Sequence, residues 1–312
     1  GLTSGRWIVF SIKLEKDNCY QLLKCMVAFP TQINEFWLVS PSIEFETMAI
    51  ITLTTDMGLS DYYVAAVKGA ILTQLPNATI VDISHEIPKF DRMKAGFILR
   101  NAYTHFPPGT VHIVGVETLE DEDTQHVALK INGHFFVGAD SGIFSLLFSP
   151  QHADEIVQLN IRKEQTPKSF PTVDLFVTAA CHIARGGTLE IIGRKISGFR
   201  QSLMLSPTRG ESHLGASIIY IDSYGNLITN IRQEQFEERR QGGKFEVVLR
   251  RASQNIVRIS KSYNEVPEGD MCALFNASGY LEISINRGSA AKLIGLKVND
   301  TLRVEFHVDT NR

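Results

Sequence analysis

From residue 49 onward the chain alternates short β-branched runs with helix-length amphipathic segments, and this change of period constrains its fold more than any other feature. AIITLTTDMG opens the pattern: residues 49 to 55 read as a strand and Asp56 to Ser60 as its exit loop. DYYVAAVKGAILTQLP then reads as a helix that Asp61 can cap and Pro76 stops. NATIVDISHEI is the next strand, and KFDRMKAGFILRNAYTHFPPG a helix ending before Pro107-Pro108-Gly109. TVHIVGVE supplies a third strand, HVALKINGHFFVGA two more around Asn132-Gly133, and SGIFSLLF begins a further element. VDLFVTAACHIARGG, residues 173 to 187, adds a helix with glycines at its end. The order predicts a three-layer α/β domain over residues 49–190 with a largely parallel sheet, although the internal hairpin argues against a purely parallel one.

Beyond a linker at 191–209 the period shortens. GASIIYIDSYGNLITNI, KFEVVLR, MCALFNASGYLEISINRG and LRVEFHVD are short β segments between polar turns, and they predict a small antiparallel β-barrel domain over 210–312. Residues 1–48 carry no clear pattern and are expected to pack onto the first domain. A formal charge of -3, from 34 acidic and 31 basic residues, gives no field that would draw a nucleic-acid backbone. No 18-residue apolar run marks a membrane span, and the opening segment lacks the pattern of a secretory signal. Cys19, Cys25, Cys181 and Cys272 are scattered without a disulfide framework, which makes the cytoplasm the expected compartment.

Several polar groups fall where α/β enzymes bind ligands. Thr54, Thr55 and Asp56 end the first strand, and the Asp56 carboxylate can accept hydrogen bonds from paired ribose hydroxyls, although a capped turn explains the same residues. The loop matches neither a GxGxxG nor a GxxxxGK[ST] phosphate motif. IDSYGNLITN sets Asp222 and Asn226 on either side of a Tyr224-Gly225 corner; it reads as a plain turn between strands or as an edge that grips a heterocycle. Asn276, Ser278 and Asn286 admit the same two readings. His85, His112, His134 and His182 form no zinc signature, and Ser141 in GADSGIFS lacks the GxSxG order of a nucleophile elbow. The acidic run VETLEDEDTQH, with Glu117, Glu120, Asp121, Glu122 and Asp123, lacks the calcium-loop pattern and reads first as a solvated loop.

Taken in order, ITLTTDMGLSDYYVAAVKGAI, IVDISHEIP, FPPGTVHIVGV, FFVGADSGIFSLL, YIDSYGNLITNI and NASGYLEISINRGSAAKLIGLKVND resemble the S-adenosyl-L-methionine (SAM) hydroxide adenosyltransferase family, related to the SAM-dependent fluorinases and chlorinases. The resemblance implies an α/β domain followed by a β-barrel, a homotrimer with SAM between neighbouring subunits, and no metal or redox cofactor. It places Asp56 on the ribose hydroxyls, Tyr63 near the methionine portion, Phe90 over the ribose, and Phe170 at the closure of the chamber. Asp222 joins the pocket, Tyr224 packs near the adenine, Asn226 contacts its edge, and Ser278 lies near the amino acid portion. The implied reaction is substitution at ribose C5′ with methionine as leaving group, water giving adenosine and L-methionine.

The chain departs from the family where water is activated. Relatives carry a DPGVGTxR-like loop and a later FHGRD. Here ETLEDEDT puts Glu117 at the aspartate position and Thr124 at the arginine position, while FPTVD puts Pro171 at the histidine position and Val173 at another basic one. Proline offers no imidazole and threonine no fixed charge. Glu117 and Thr172 are the remaining candidates for orienting the nucleophile, Thr172 aligning near a halide-binding serine of the fluorinases. SAM hydrolysis is the leading expectation, with a non-catalytic SAM- or adenosine-binding regulator as the alternative and halogen transfer behind both.

Overall fold

The computed structural model describes residues 7–16, 19–28, 49–119, 124–161, 169–202, 206–249 and 255–307. Glu120, Asp121, Glu122 and Asp123 lie outside the described residues. Residues 1–48 and 49–312 separate into two units. In the first, β1 (Trp7–Lys16) pairs antiparallel with β2 (Cys19–Ala28).

In the second unit, β3 (Ile50–Thr55), α1 (Tyr63–Gln74), β4 (Thr79–Ser84), α2 (Arg92–Ala102) and β5 (Val111–Gly115) form two successive strand–helix–strand crossovers. β6 (His126–Ile131) and β7 (His134–Ala139) are the hairpin predicted around Asn132-Gly133, and α3 (Ile143–Leu147) and β8 (Glu155–Leu159) follow. A π-helical stretch over Thr172–Phe176 runs into α4 (Val177–Ala184), and α5 (Leu189–Ile192) leads into β9 (Gly193–Lys195). The sheet order is β4-β3-β5-β7-β6-β8-β9. Pairings among β4, β3, β5 and β7 are parallel, whereas β6–β7, β6–β8 and β8–β9 are antiparallel. The sheet is therefore mixed rather than largely parallel: the two-residue turn at Asn132-Gly133 reverses the chain, and each strand added beyond β6 inherits the antiparallel sense.

Strand alternation explains the three layers. Ile51, Leu53, Val111, Ile113, Ala128 and Val137 point to the face covered by α1, α4 and α5. Val114, Val127, Leu129, Ile131 and Phe136 point to the opposite face, against Ala95 and Leu99 of α2 and the apolar side of α3. The chain moves from β3 outward to β4 and then back across β3 to β5, with the intervening helices on opposite faces. The loops that leave β3 and β5 thus adjoin at the point where strand addition reverses, the position at which open α/β sheets bind ligands.

Two helix boundaries differ from the sequence reading. α1 begins at Tyr63 behind Tyr62, without a side-chain cap, so Asp61 does not cap it. The helix expected at 173–187 starts instead as a π turn at Thr172, immediately after Pro171, and its α-helical part ends at Ala184. α2, by contrast, has a side-chain cap: Asp91 accepts from the Lys94 backbone N–H at 2.9 Å.

The remaining strands are β10 (Thr208–Arg209), β11 (His213–Ile221), β12 (Leu227–Arg232), β13 (Lys244–Val248), β14 (Met271–Phe275), β15 (Tyr280–Ile285) and β16 (Thr301–His307); α6 (Gln233–Arg240) and α7 (Ala290–Ile294) flank them. Their order is β13-β16-β11-β12-β15-β14, every neighbour antiparallel, with β10 beside β11. This is a half-barrel sheet rather than a closed barrel, since β13 and β14 end the path. Phe236 at its centre meets Phe245, Phe275 and Phe306 edge-on. Phe97 of α2 stacks on Tyr220 of β11, with ring centroids 4.3 Å apart, joining the half-barrel to the α/β sheet's helical layer. Among the described residues no helix is long and apolar enough to cross a membrane.

Candidate functional site

Parallel β3 and β4 deliver their exit loops side by side, and a polar chain ties the loops together. Thr55 Oγ1 lies 2.7 Å from His85 Nδ1, His85 Nε2 lies 3.1 Å from Asp82 Oδ1, and Lys68 Nζ donates to Asp82 Oδ2 at 2.6 Å. Burial acts to raise the Asp82 carboxyl, but Lys68 and His85 outweigh it and the group titrates below its ordinary value. The Gly58 N–H donates to the His85 carbonyl at 2.8 Å, fixing the loop that carries Asp56. Asp56 Oδ2 accepts the Phe90 N–H at 2.9 Å, which orients the carboxylate and leaves Oδ1 open to a ligand hydroxyl. Phe90 has a φ of 64°, a left-handed conformation in a bulky residue, and its ring is 67% exposed. Tyr63 and Phe170 meet edge-on at 5.5 Å, although 107 residues separate them in the chain by subtraction of their numbers.

At the exit of β5, a Cβ built on Gly115 would come within 3.0 Å of a Thr55 methyl and 3.4 Å of both a Thr172 methyl and the Met57 terminus. Only a glycine lets Thr172 approach the strand ends this closely. Thr172 is fully buried and its hydroxyl has no partner within the protein. Glu117, two residues beyond Gly115, has a φ of 49°, and its Oε2 lies 3.0 Å from Arg92 Nε. The second arm of Arg92, Nη1, donates to the Ser141 carbonyl. Thr124 is buried. His126 Nε2 bonds the Thr118 carbonyl at 2.8 Å, closing the base of the acidic loop. Asp140 takes the Arg200 N–H on both oxygens; burial pushes its carboxyl up and this bond partly offsets the push.

The turn between β11 and β12 is organised by Asp222, whose Oδ1 accepts from the N–H groups of Tyr224 and Asn226 and whose Oδ2 accepts from Asn226 Nδ2 at 2.9 Å. Gly225, at φ 87°, packs against Ser289 so closely that a Cβ would sit 2.0 Å from the Ser289 hydroxyl. The corner projects Tyr224, 79% exposed, into solvent. Ser278 lies in the β14–β15 turn, where Asn276 Oδ1 accepts from the N–H groups of Ser278 and Tyr280. Asn276 is in turn held by Glu282, a buried carboxylate that accepts from Asn276 Nδ2, Tyr263 Oη and Ser284 Oγ. Arg232 donates to the Ser278 carbonyl and lies over the Tyr280 ring at 4.1 Å.

The predicted residues therefore fall into two groups. Asp56, Tyr63, Phe90, Glu117, Phe170 and Thr172 gather around the ends of β3, β4 and β5; Asp222, Tyr224, Asn226 and Ser278 occupy turns of the half-barrel sheet. Among the described residues no hydrogen bond or ring contact joins one group to the other. Phe90 and Arg92, with Leu146 and Arg200, also line a cleft of about 460 Å³ on the α2 side. His112 and His134 belong to the core, where Thr52 Oγ1 lies 2.7 Å from His112 Nδ1. Arg92 and Glu282 escaped the sequence reading. Glu282 left a signal: a carboxylate between Leu281 and Ile283 in an otherwise apolar strand. Among the described residues no group of three or more His, Cys, Asp or Glu side chains is placed to hold a metal, and Cys181 and Cys272 are buried and free.

The SAM hydroxide adenosyltransferase N-terminal domain matches residues 51–193, and the C-terminal domain of that family matches residues 216–303. An (R)-S-adenosyl-L-methionine hydrolase of Thermus thermophilus is 30% identical over 269 residues, covering 82% of this chain and 100% of that one. The protein of the same name from Methanocaldococcus jannaschii is 27% identical over 273 residues, covering 84% and 97%. A crystal structure of a conserved protein from Thermotoga maritima superposes with a TM-score of 0.74 at 26% identity, covering 82% of this chain and 99% of that one. With both domains matched in order across the α/β sheet and the half-barrel, the chain belongs to the SAM hydroxide adenosyltransferase family.

Proposed function

We propose that this protein binds SAM and hydrolyses it to adenosine and L-methionine. The observation that carries the reading is its likeness to a SAM hydrolase along that enzyme's entire length, with a carboxylate, Glu117, retained at the exit of β5. In the proposed reaction a water oxygen attacks ribose C5′ as the C5′–S bond breaks. The electron pair stays on sulfur, giving neutral methionine thioether, and the water's second proton leaves to solvent. Because the sulfonium is already an effective leaving group, the protein's part is to align and desolvate the nucleophile. Glu117 orients the water and the buried Thr172 hydroxyl assists it; Asp56 holds the ribose, with Phe90 above it. Tyr63 and Phe170 wall the methionine side. Asp222, Tyr224, Asn226 and Ser278 complete the pocket from a neighbouring subunit of a homotrimer, and the reaction uses no metal or redox cofactor.

Thr124 and Pro171, neither able to supply the charge or imidazole of the family's water-activating set, favour a second reading: a SAM- or adenosine-binding regulator without turnover. One assay separates the two. Purified protein incubated with SAM, products resolved by chromatography, is expected to release adenosine and methionine in equal amounts, with no 5′-halo-5′-deoxyadenosine when chloride or fluoride is added. Saturable SAM binding without enzyme-dependent adenosine would reject hydrolysis in favour of the regulator.

A further inference from the structure

Two carboxylates of the proposed site are held by a single short segment at the entry to α2. The Phe90 N–H donates to Asp56 Oδ2 at 2.9 Å, and two residues later Arg92 Nε meets Glu117 Oε2 at 3.0 Å. The segment is itself fixed: the Asp91 N–H donates to the Pro88 carbonyl, Asp91 caps α2, and Arg92 Nη1 is bonded to the Ser141 carbonyl. One guanidinium thus ties the loop after β5 to the turn after β7, while its helix anchors the loop after β3. Glu117 sits in a left-handed conformation unusual for its residue type, and such a conformation persists where surrounding bonds determine it. Thr124 has no charge to offer the carboxylate, so among the described residues its cationic partner comes from α2. A guanidinium suits the task, because its planar fork can bond two acceptors at once and it stays charged at every working pH.

We propose that Arg92 is a positioning residue for the reaction: it aims the Glu117 carboxylate at the nucleophile without touching SAM itself. The proposal rests on the hydrolytic reading above. Acting through Glu117, Arg92 should influence the chemical step rather than ligand affinity. Arg92→Gln is expected to lower kcat at least tenfold while the KM for SAM changes less than twofold, and Arg92→Lys to recover part of the loss by keeping the charge. In a double-mutant cycle, Arg92→Gln should add little to the loss already caused by Glu117→Gln. Unfolding temperatures and calorimetric SAM affinity confirm that each variant is intact; where Arg92→Gln does not fold, the lysine variant carries the cycle. Full additivity with Glu117→Gln, or a loss confined to KM, overturns the proposal.

A second readout does not depend on turnover. The Arg92 side-chain Nε resonance is expected to shift when SAM saturates the protein, and the shift to vanish in Glu117→Gln. An Nε shift in a protein that releases no adenosine leaves the placement of Arg92 standing and rejects hydrolysis. Wild-type turnover with Arg92→Gln as active as the parent rejects the positioning role alone, and an Nε signal unmoved by SAM also rejects that role.

Discussion

Glu282 illustrates how a single side chain organises a turn it does not belong to. Buried on β15 and accepting from three neutral donors, it fixes Asn276, and Asn276 fixes the backbone on both sides of Ser278. Replacing it with alanine strands those donors, and the expected destabilisation is about 3 kcal/mol or more by equilibrium denaturation. Its charge also reports on itself. The Tyr263 phenol is pushed up to about 12, first by burial and then by the Glu282 carboxylate, so in Glu282→Gln the tyrosinate absorbance should appear at lower pH. Asp56 and Asn226 were legible in the sequence because each stands at a strand end or a glycine corner, where local rules apply. Arg92 was not. Nothing near it marks a charged residue in the first turn of a helix as the partner of a carboxylate 25 positions away, by subtraction of their numbers, and only the crossover through β5 makes them neighbours.

Among the elements, α2 is the most constrained. It stacks on Tyr220 through Phe97, presents Arg92 to Glu117, and approaches α3 at Gly96, where a Cβ would come 2.9 Å from Leu146 Cβ. That contact lies near the neighbouring backbone, so a flexible side chain cannot relieve it by rotating its tip. Gly96→Ala is expected to destabilise by about 1–3 kcal/mol in denaturant titration, and to lower kcat by moving Arg92 away from its partner. Strand and helix identities followed from periodicity, including the hairpin at Asn132-Gly133. The balance of the sheet did not. Whether β8 and β9 extend the parallel or the antiparallel side depends on which edge they join, and that choice is made by long-range packing rather than by local pattern. The π turn at Thr172 was equally hidden, because one additional residue in a helical turn leaves the apolar period almost unchanged.

For the molecule as a whole, acid stability follows from the histidines inside its core. Burial, reinforced by neighbouring His134, lowers the His112 pKa from 6.5 to about 3. The unfolded chain therefore binds the proton first: stability is fully present above about pH 6.5 and declines as the pH falls toward 3. The decline is expected to be on the order of a few kcal/mol in denaturation midpoints, with a flatter slope in His112→Gln. The division of candidate residues between the α/β sheet and the half-barrel turns, with no bond joining the two groups, has a consequence of a different kind. In the proposed trimer each site borrows its two walls from different chains. Asp56→Asn and Asn226→Ala proteins, each inactive alone, should then complement one another when unfolded together and refolded, because about a quarter of the sites in a random equimolar mixture receive both intact walls. Recovery of turnover from two dead parents would make this a shared catalyst, whose specific activity falls on dilution as the ring comes apart.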